Sequence, residues 1–390
     1  DKDFVHTTID GKSALCWVDT AETNQIYQES VKILDINSKT GLYPLFVATS
    51  LYYRLMQQEN EKGAGKFDAL SIWKKVLKEN VYAIAKTPMA KTITQRTLAG
   101  YQPYDTNVEF IDLVPMIREG NTNISDRIEG AFNKVKFDVI IGNPPYQEID
   151  GGGQSNSSAT PIYQNFVSLA KVMNPKHISL IIPSRWYAGG KGLDAFRDDM
   201  LNDPHLRELH DWLTPENIFP NTNIRGGVCY FLWEKQYNNK SNLTRVITYE
   251  NNKVISDVYR PMKFAEVDIF IRDSKSIKIL EKISRIQKEL YNNLWIDQYV
   301  SSRKPFGLDS TFTRNDKFKD NAEFLINPVK CYGGKGVTGY VESDVIKVKE
   351  DWIKKWKVFT AFANNIGTEL NDDNFNTIIG EPETVCTETY

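Results

Sequence analysis

The stretch Phe137-Asp138-Val139-Ile140-Ile141-Gly142-Asn143-Pro144-Pro145-Tyr146 constrains this chain more than any other. Val139, Ile140 and Ile141 are β-formers in an unbroken apolar run, as expected of a strand covered on both faces. Two consecutive prolines then remove two backbone donors and fix two φ angles, so neither strand nor helix can continue. Asn143 precedes a proline and is biased to extended backbone. A buried strand must therefore stop abruptly in a rigid loop that presents one amide and one aromatic ring. In open α/β sheets the carboxyl edge of the strands is where ligands bind.

Asn143-Pro144-Pro145-Tyr146 suits chemistry on an amino group conjugated to a ring. Such a nitrogen is a poor nucleophile. The Asn143 oxygen and the Pro144 carbonyl can each accept one of its two hydrogens, which holds it and favours a lone pair aimed at an incoming methyl group. Tyr146 can stack on the ring. The bland alternative is a proline turn with an asparagine cap. The complete string of apolar strand, Gly, Asn, Pro, Pro and Tyr favours the functional reading.

Gly142-Asn143-Pro144-Pro145-Tyr146 resembles the catalytic motif of S-adenosylmethionine (SAM)-dependent amino-methyltransferases. The likeness is strongest to the N6-adenine DNA methyltransferases of type IIG and related restriction–modification enzymes. It spans roughly Val31 to Trp233. It implies a class I SAM methyltransferase fold: a doubly wound, mostly parallel seven-stranded α/β sheet, here with a C-terminal α+β extension. It implies Asn143, Pro144, Pro145 and Tyr146 as catalytic residues, SAM as cofactor, and methyl transfer to the N6 of adenine in double-stranded DNA. Further domains of a longer restriction–modification polypeptide are implied as partners. The same four residues also occur in methyltransferases of release-factor glutamine, so an enzyme acting on protein or RNA is the first alternative. A DNA-recognition module without turnover is the second.

Upstream, Val31 to Ile36 reads as a strand, Asn37 to Gly41 as a polar turn, and Leu42 to Leu55 as a helix with Pro44 in its first turn. Strand, glycine-containing turn and helix open a doubly wound nucleotide-binding fold. The turn resembles the family's SAM loop, which implies cofactor contacts from Asp35, Asn37, Ser38, Thr40 and Gly41. Tyr43 stands where an aromatic is usual, and Lys39 where a second glycine is common. Val81 to Ala85 is the next strand. The family ends it with an acid for the ribose hydroxyls, but Lys86-Thr87-Pro88 follows here. Met89 to Leu98 is a helix, and Val108 to Leu113 a strand whose Asp112 the resemblance places at the SAM adenine.

Asp150 to Ser158 is a flexible stretch that suits either a lid or a plain loop. Pro161 to Met173 reads as a helix, His177 to Pro183 as a buried strand, and Ser184 to Tyr187 as a turn at the substrate edge. Leu206 to Leu213 and Gly226 to Trp233 are late strands, the second reversed. The loop Ile218 to Arg225 and the strand Gly226 to Trp233 resemble the family's wall for a flipped-out base, with Tyr230 or Phe219 stacking on it. Residues 1–235 form the expected catalytic domain and 236–300 a connecting segment with an amphipathic helix over 276–290. Residues 301–390 form the expected start of a target-recognition domain, rich in Lys347, Lys349, Trp352, Lys354, Lys355, Trp356 and Lys357. The last residues read as a strand cut midway, which suggests a longer parent chain.

A net charge of −2 shows no overall basic footprint, so any DNA surface must be local. Gly189-Gly190-Lys191-Gly192 and Gly333-Gly334-Lys335-Gly336 lack the spacing of a phosphate loop, and no nuclease constellation is evident. The four cysteines are far apart and form no metal-spaced pair, which suggests reduced thiols in a cytoplasmic protein. No run is long enough to span a membrane.

Overall fold

The computed structural model describes residues 4–9, 12–17, 26–62, 68–148, 160–190, 192–220, 222, 224, 226–238, 243–264, 267–290, 299–301, 304–360 and 378–388. Two compact units divide the chain, Asp1–Ile279 and Leu280–Tyr390.

The first unit opens with an antiparallel hairpin, β1 (Phe4–Ile9) and β2 (Lys12–Trp17). The large sheet begins with β3 (Ile33–Ser38), β4 (Val81–Ala85), β5 (Asn107–Phe110) and β6 (Val139–Gly142). The two-residue strands β7 (Gln147–Glu148) and β8 (Thr160–Pro161) pair with each other. The Asp150–Ser158 stretch lies outside the described residues. The sheet continues with β9 (His177–Pro183), β10 (Leu206–Trp212), β11 (Val228–Glu234), β12 (Leu243–Glu250) and β13 (Lys253–Pro261).

Its order is β13-β12-β10-β11-β9-β6-β3-β4-β5. Only β11 and β13 run against the others. The fold is therefore the expected mostly parallel α/β sheet with a reversed late strand. The sheet has nine strands instead of seven, because β12 and β13, inside the stretch read as a connecting segment, extend it. Their turn is Asn251-Asn252, both at positive φ, a backbone that asparagine tolerates well.

Alternation along the strands explains the two-sided core. Ile33, Val81, Ala83 and Val139 pack with Val47, Leu51 and Leu98 on one face. Leu34, Tyr82, Ile84 and Ile140 pack with Phe166, Val167 and Ala170 on the other. The helices supplying those faces are Leu42–Glu61, Pro88–Ala99 and Tyr163–Val172. The chain runs outward from β3 to β5 and returns to β6 on the other side of β3. Such a reversal opens a crevice at the carboxyl ends of the two central strands.

In the second unit β15 (Thr338–Glu342), β14 (Pro328–Tyr332) and β18 (Thr384–Cys386) form one small sheet, and β16 (Lys357–Phe359) pairs with β17 (Ile378–Gly380). Phe306, Val329, Cys331, Val341, Ile353 and Val385 form its own core. Cys229, Cys331 and Cys386 are buried free thiols. Among the described residues no helix is long and apolar enough to cross a membrane, and no cluster of side chains could hold a metal.

Candidate active site

The reversal puts the loop after β3 beside the loop after β6. Asp35 lies next to Ile141 in the parallel ladder. The Asn37 side-chain amide donates to the Asn143 carbonyl at 2.8 Å. Asp35 accepts from the Asn37 backbone amide at 3.2 Å. Gly142, at φ +149°, lets the chain pass so near that a Cβ there would lie 2.9 Å from Asp35 Oδ1. The turn predicted to hold a cofactor and the loop predicted to hold a substrate thus form one bonded assembly.

The turn is braced from the other side by the Pro88–Ala99 helix. Ser38 and Thr94 hydroxyls lie 3.0 Å apart, and Thr97 donates to the Thr40 carbonyl at 2.7 Å. Gly41 has φ +79°, and a Cβ would stand 2.9 Å from Thr97 Cβ and 3.0 Å from Thr94 Cα. Gly41→Ala is expected to destabilise the fold by about 2 kcal/mol, since both the backbone region and the close approach oppose a methyl group. Thermal melts would show it, and an unchanged Tm would mean the turn can move off the helix. Neither Thr94 nor Thr97 was singled out from sequence, since nothing local marks a helix face that buttresses a turn over fifty residues away.

Asp35 is fully buried, and its Oδ2 has no hydrogen-bond partner. Burial pushes its carboxyl up to about 7, against the partial help of Asn37 and Ser38. Burial also raises the Tyr43 phenol, which feels Asp35 and lies against the Asn143 side chain. Tyr43 therefore joins the two loops at the surface. Asp112 caps the Leu113–Arg118 helix by accepting from the Val114 amide at 3.2 Å. The third strand ends at Phe110, so Asp112 stands just beyond its edge. After β4, Lys86 is exposed and Thr87 caps the next helix, accepting from the Ala90 amide at 3.1 Å.

Tyr146 is half-buried, and burial holds its phenol well above the usual range. Its ring meets Phe219 edge-on at 6.4 Å, interplanar angle 75°. Of the two aromatics considered for the base wall, Phe219 is the one at the loop. Tyr230 lies elsewhere, stacked on His210 at 4.3 Å. In the Ser184–Tyr187 turn, Trp186 is a core residue with no exposed surface, and Arg185 is the exposed one.

The arrangement can grip an amino group. The Asn143 carbonyl is taken by Asn37, which fixes the backbone, while the Asn143 side chain lies against Tyr43. Tyr146 and Phe219 offer two rings beside it. Asp35 Oδ2, a buried acceptor with no hydrogen-bond partner, fits the ammonium of an amino-acid-bearing cofactor.

Residues 79–219 match the family described as Eco57I restriction-modification methylase. An uncharacterized adenine-specific methylase of Mycoplasma pneumoniae is 30% identical over 189 residues, covering 48% of this chain and 42% of that protein. Among solved structures, a nuclease-deletion mutant of the type ISP restriction-modification enzyme LlaGI with a DNA substrate mimic aligns over 92% of this chain and 44% of its own, at 12% identity and TM-score 0.43. The type ISP enzyme LlaBIII bound to DNA aligns over 96% and 31%, at 14% identity and TM-score 0.41. The chain thus spans less than half the length of these relatives. The span that matches the Eco57I restriction-modification methylase model, residues 79–219, holds both the Asn143–Tyr146 loop and Phe219.

Proposed function

We propose that this chain methylates the N6 amino group of adenine in double-stranded DNA, with SAM as donor, as part of a restriction–modification system. The observation that carries the reading is the Asn143–Tyr146 loop at the sheet reversal, hydrogen-bonded to the glycine turn after β3 and faced by Phe219. When bound, SAM supplies an electrophilic methyl group on a sulfonium. Asp35, Asn37, Ser38, Thr40 and Gly41 would hold its amino-acid end, and Asp112 its adenine. The absence of an acid after β4 leaves the ribose to other groups.

An adenine amino group is unreachable inside the base stack, so the base must be rotated out. Asn143 and the Pro144 carbonyl then accept the two N6 hydrogens. Pro145 keeps the loop rigid, and Tyr146, backed edge-on by Phe219, stacks on the ring. These contacts hold the nitrogen lone pair towards the methyl group, and transfer needs no covalent enzyme intermediate. The test is incubation with methyl-labelled SAM and duplex DNA, followed by nucleoside analysis. Label in N6-methyladenine supports the reading; SAM binding without labelled adenine sinks it.

The second unit supplies the DNA contact in this proposal. Trp356 is 67% exposed, directly after exposed Lys354 and Lys355, and the cross-strand pair Val358 and Ile379 is exposed beside it. Lys349 lies over the Trp352 ring at 3.9 Å. Trp356→Ala is expected to weaken duplex binding about tenfold without changing SAM affinity. Equal affinity in a fluorescence-anisotropy titration would remove Trp356 from the interface.

A further inference from the structure

Asp211, on β10, has no exposed surface, and none of the site residues explains it. It accepts two hydrogen bonds from Arg272, from Nε and Nη2, both at 2.7 Å. It also accepts from the Ser184 hydroxyl at 3.0 Å and the Tyr187 hydroxyl at 3.2 Å. A buried carboxylate with four donors is a strongly built anchor. The remaining Arg272 nitrogen, Nη1, donates outward to the Gly226 carbonyl at 2.7 Å.

Gly226 matters because of what lies upstream of it. It closes the loop that leaves β10 and returns as β11, and this loop carries Phe219, the ring facing Tyr146. The other foot is tied by the Phe219 amide donating to the Pro215 carbonyl at 2.8 Å. Both glycines at the near foot have positive φ, +93° and +92°. A Cβ on Gly227 would lie 2.4 Å from the Trp212 carbonyl and 2.7 Å from Arg272 Nη2, so the backbone is shaped to admit the guanidinium. The Ser184 amide donates to the Gly227 carbonyl at 3.0 Å, which joins the same foot to the turn after β9.

We propose that Arg272, anchored on Asp211, is a positioning residue that holds the Phe219 loop against Tyr146 through Gly226. Its role in transfer rests on the methyltransferase reading; its role in ordering the loop does not. A guanidinium is needed, since one planar group must serve the carboxylate bidentately and the Gly226 carbonyl at once. A lysine keeps the charge beside Asp211 but cannot do both.

Hydrogen exchange on the full chain tests the ordering. Arg272→Lys should speed exchange in peptides covering Phe219 and Gly226 by about tenfold, and leave Val139–Tyr146 unchanged. Unchanged exchange at Gly226, or an equal rise in both regions, overturns the proposal. Activity is read in a double-mutant cycle with plasmid DNA and labelled SAM. Arg272→Lys should lower kcat/KM about tenfold with SAM affinity intact, and should add little in a Phe219→Ala background. Fully additive losses overturn it. A wild-type chain that labels no DNA sinks the methyltransferase reading instead, and the exchange result still decides the role of Arg272.

Discussion

Replacing Asn143 by alanine is expected to lower methyl transfer by about a thousandfold or more, with SAM affinity held within about twofold. The two effects separate because Asn143 does two jobs with different atoms. Its backbone carbonyl receives the Asn37 side chain at 2.8 Å, and alanine keeps that carbonyl. The link to the cofactor turn therefore survives. In the proposed reaction its side-chain oxygen accepts a hydrogen from N6, and alanine removes it. The proline on its carboxyl side fixes the next φ, so the loop should keep its course. Asn143→Asp retains acceptor oxygens and should retain more activity than alanine. Transfer within about tenfold of wild type in Asn143→Ala would sink the role, since losing a preorganised contact in a water-poor site costs more than that. Lost SAM binding would show that the side chain braces Tyr43 and the turn instead.

The fold was legible where strands are buried on both faces, because an apolar run needs no partner to be recognised. Val31–Ile36, Val81–Ala85, Val139–Ile141 and His177–Pro183 all read correctly as strands for this reason. The hairpins were harder. Phe4–Ile9 and Lys12–Trp17 lie in a stretch with no clear period, and Thr244–Glu250 reads as strand-like, but the turn at Asn251-Asn252 and the return strand after it do not stand out. An Asn-Asn pair announces a tight turn only when both flanks are already taken as strands. Placing Thr244–Glu250 in a connecting segment and missing the return strand Lys253–Pro261 accounts for the seven strands expected against nine.

At the site, short-range chemistry was legible and long-range pairing was not. The rigid Asn-Pro-Pro-Tyr loop follows from its own residues. The choice between Tyr230 and Phe219 does not. It depends on the register of β11 against β10, which puts Tyr230 opposite His210. Asp211 and Arg272 lie 61 residues apart in sequence. Neither residue type nor spacing marks them as a pair, and only the folded sheet edge brings them to the foot of one loop.

Asp35 should make the stability of this protein fall as pH rises. Its carboxyl is pushed up to about 7 in the fold, while an unfolded aspartate titrates near 4. Below about pH 4 both states hold the proton, and this contribution is fully favourable. Between about 4 and 7 the unfolded chain gives up its proton first, so stability drops. Above about 7 the loss levels off at about 4 kcal/mol. Asp35→Asn cannot ionise and should show no such slope. Its amide can still accept from the Asn37 backbone, but it places an unpaired NH2 where Oδ2 stands, at a cost of about 1–3 kcal/mol. The two stability curves should therefore cross: wild type more stable near pH 4, the variant more stable near pH 8. Urea melts at the two pH values measure this, and parallel curves would mean Asp35 is not strained by burial. The same substitution should weaken SAM binding, because the unpaired oxygen that destabilises the empty fold is the one available to an ammonium. On the proposed reading Asp35 Oδ2 meets the SAM ammonium, and SAM binding should then recover part of that stability at high pH.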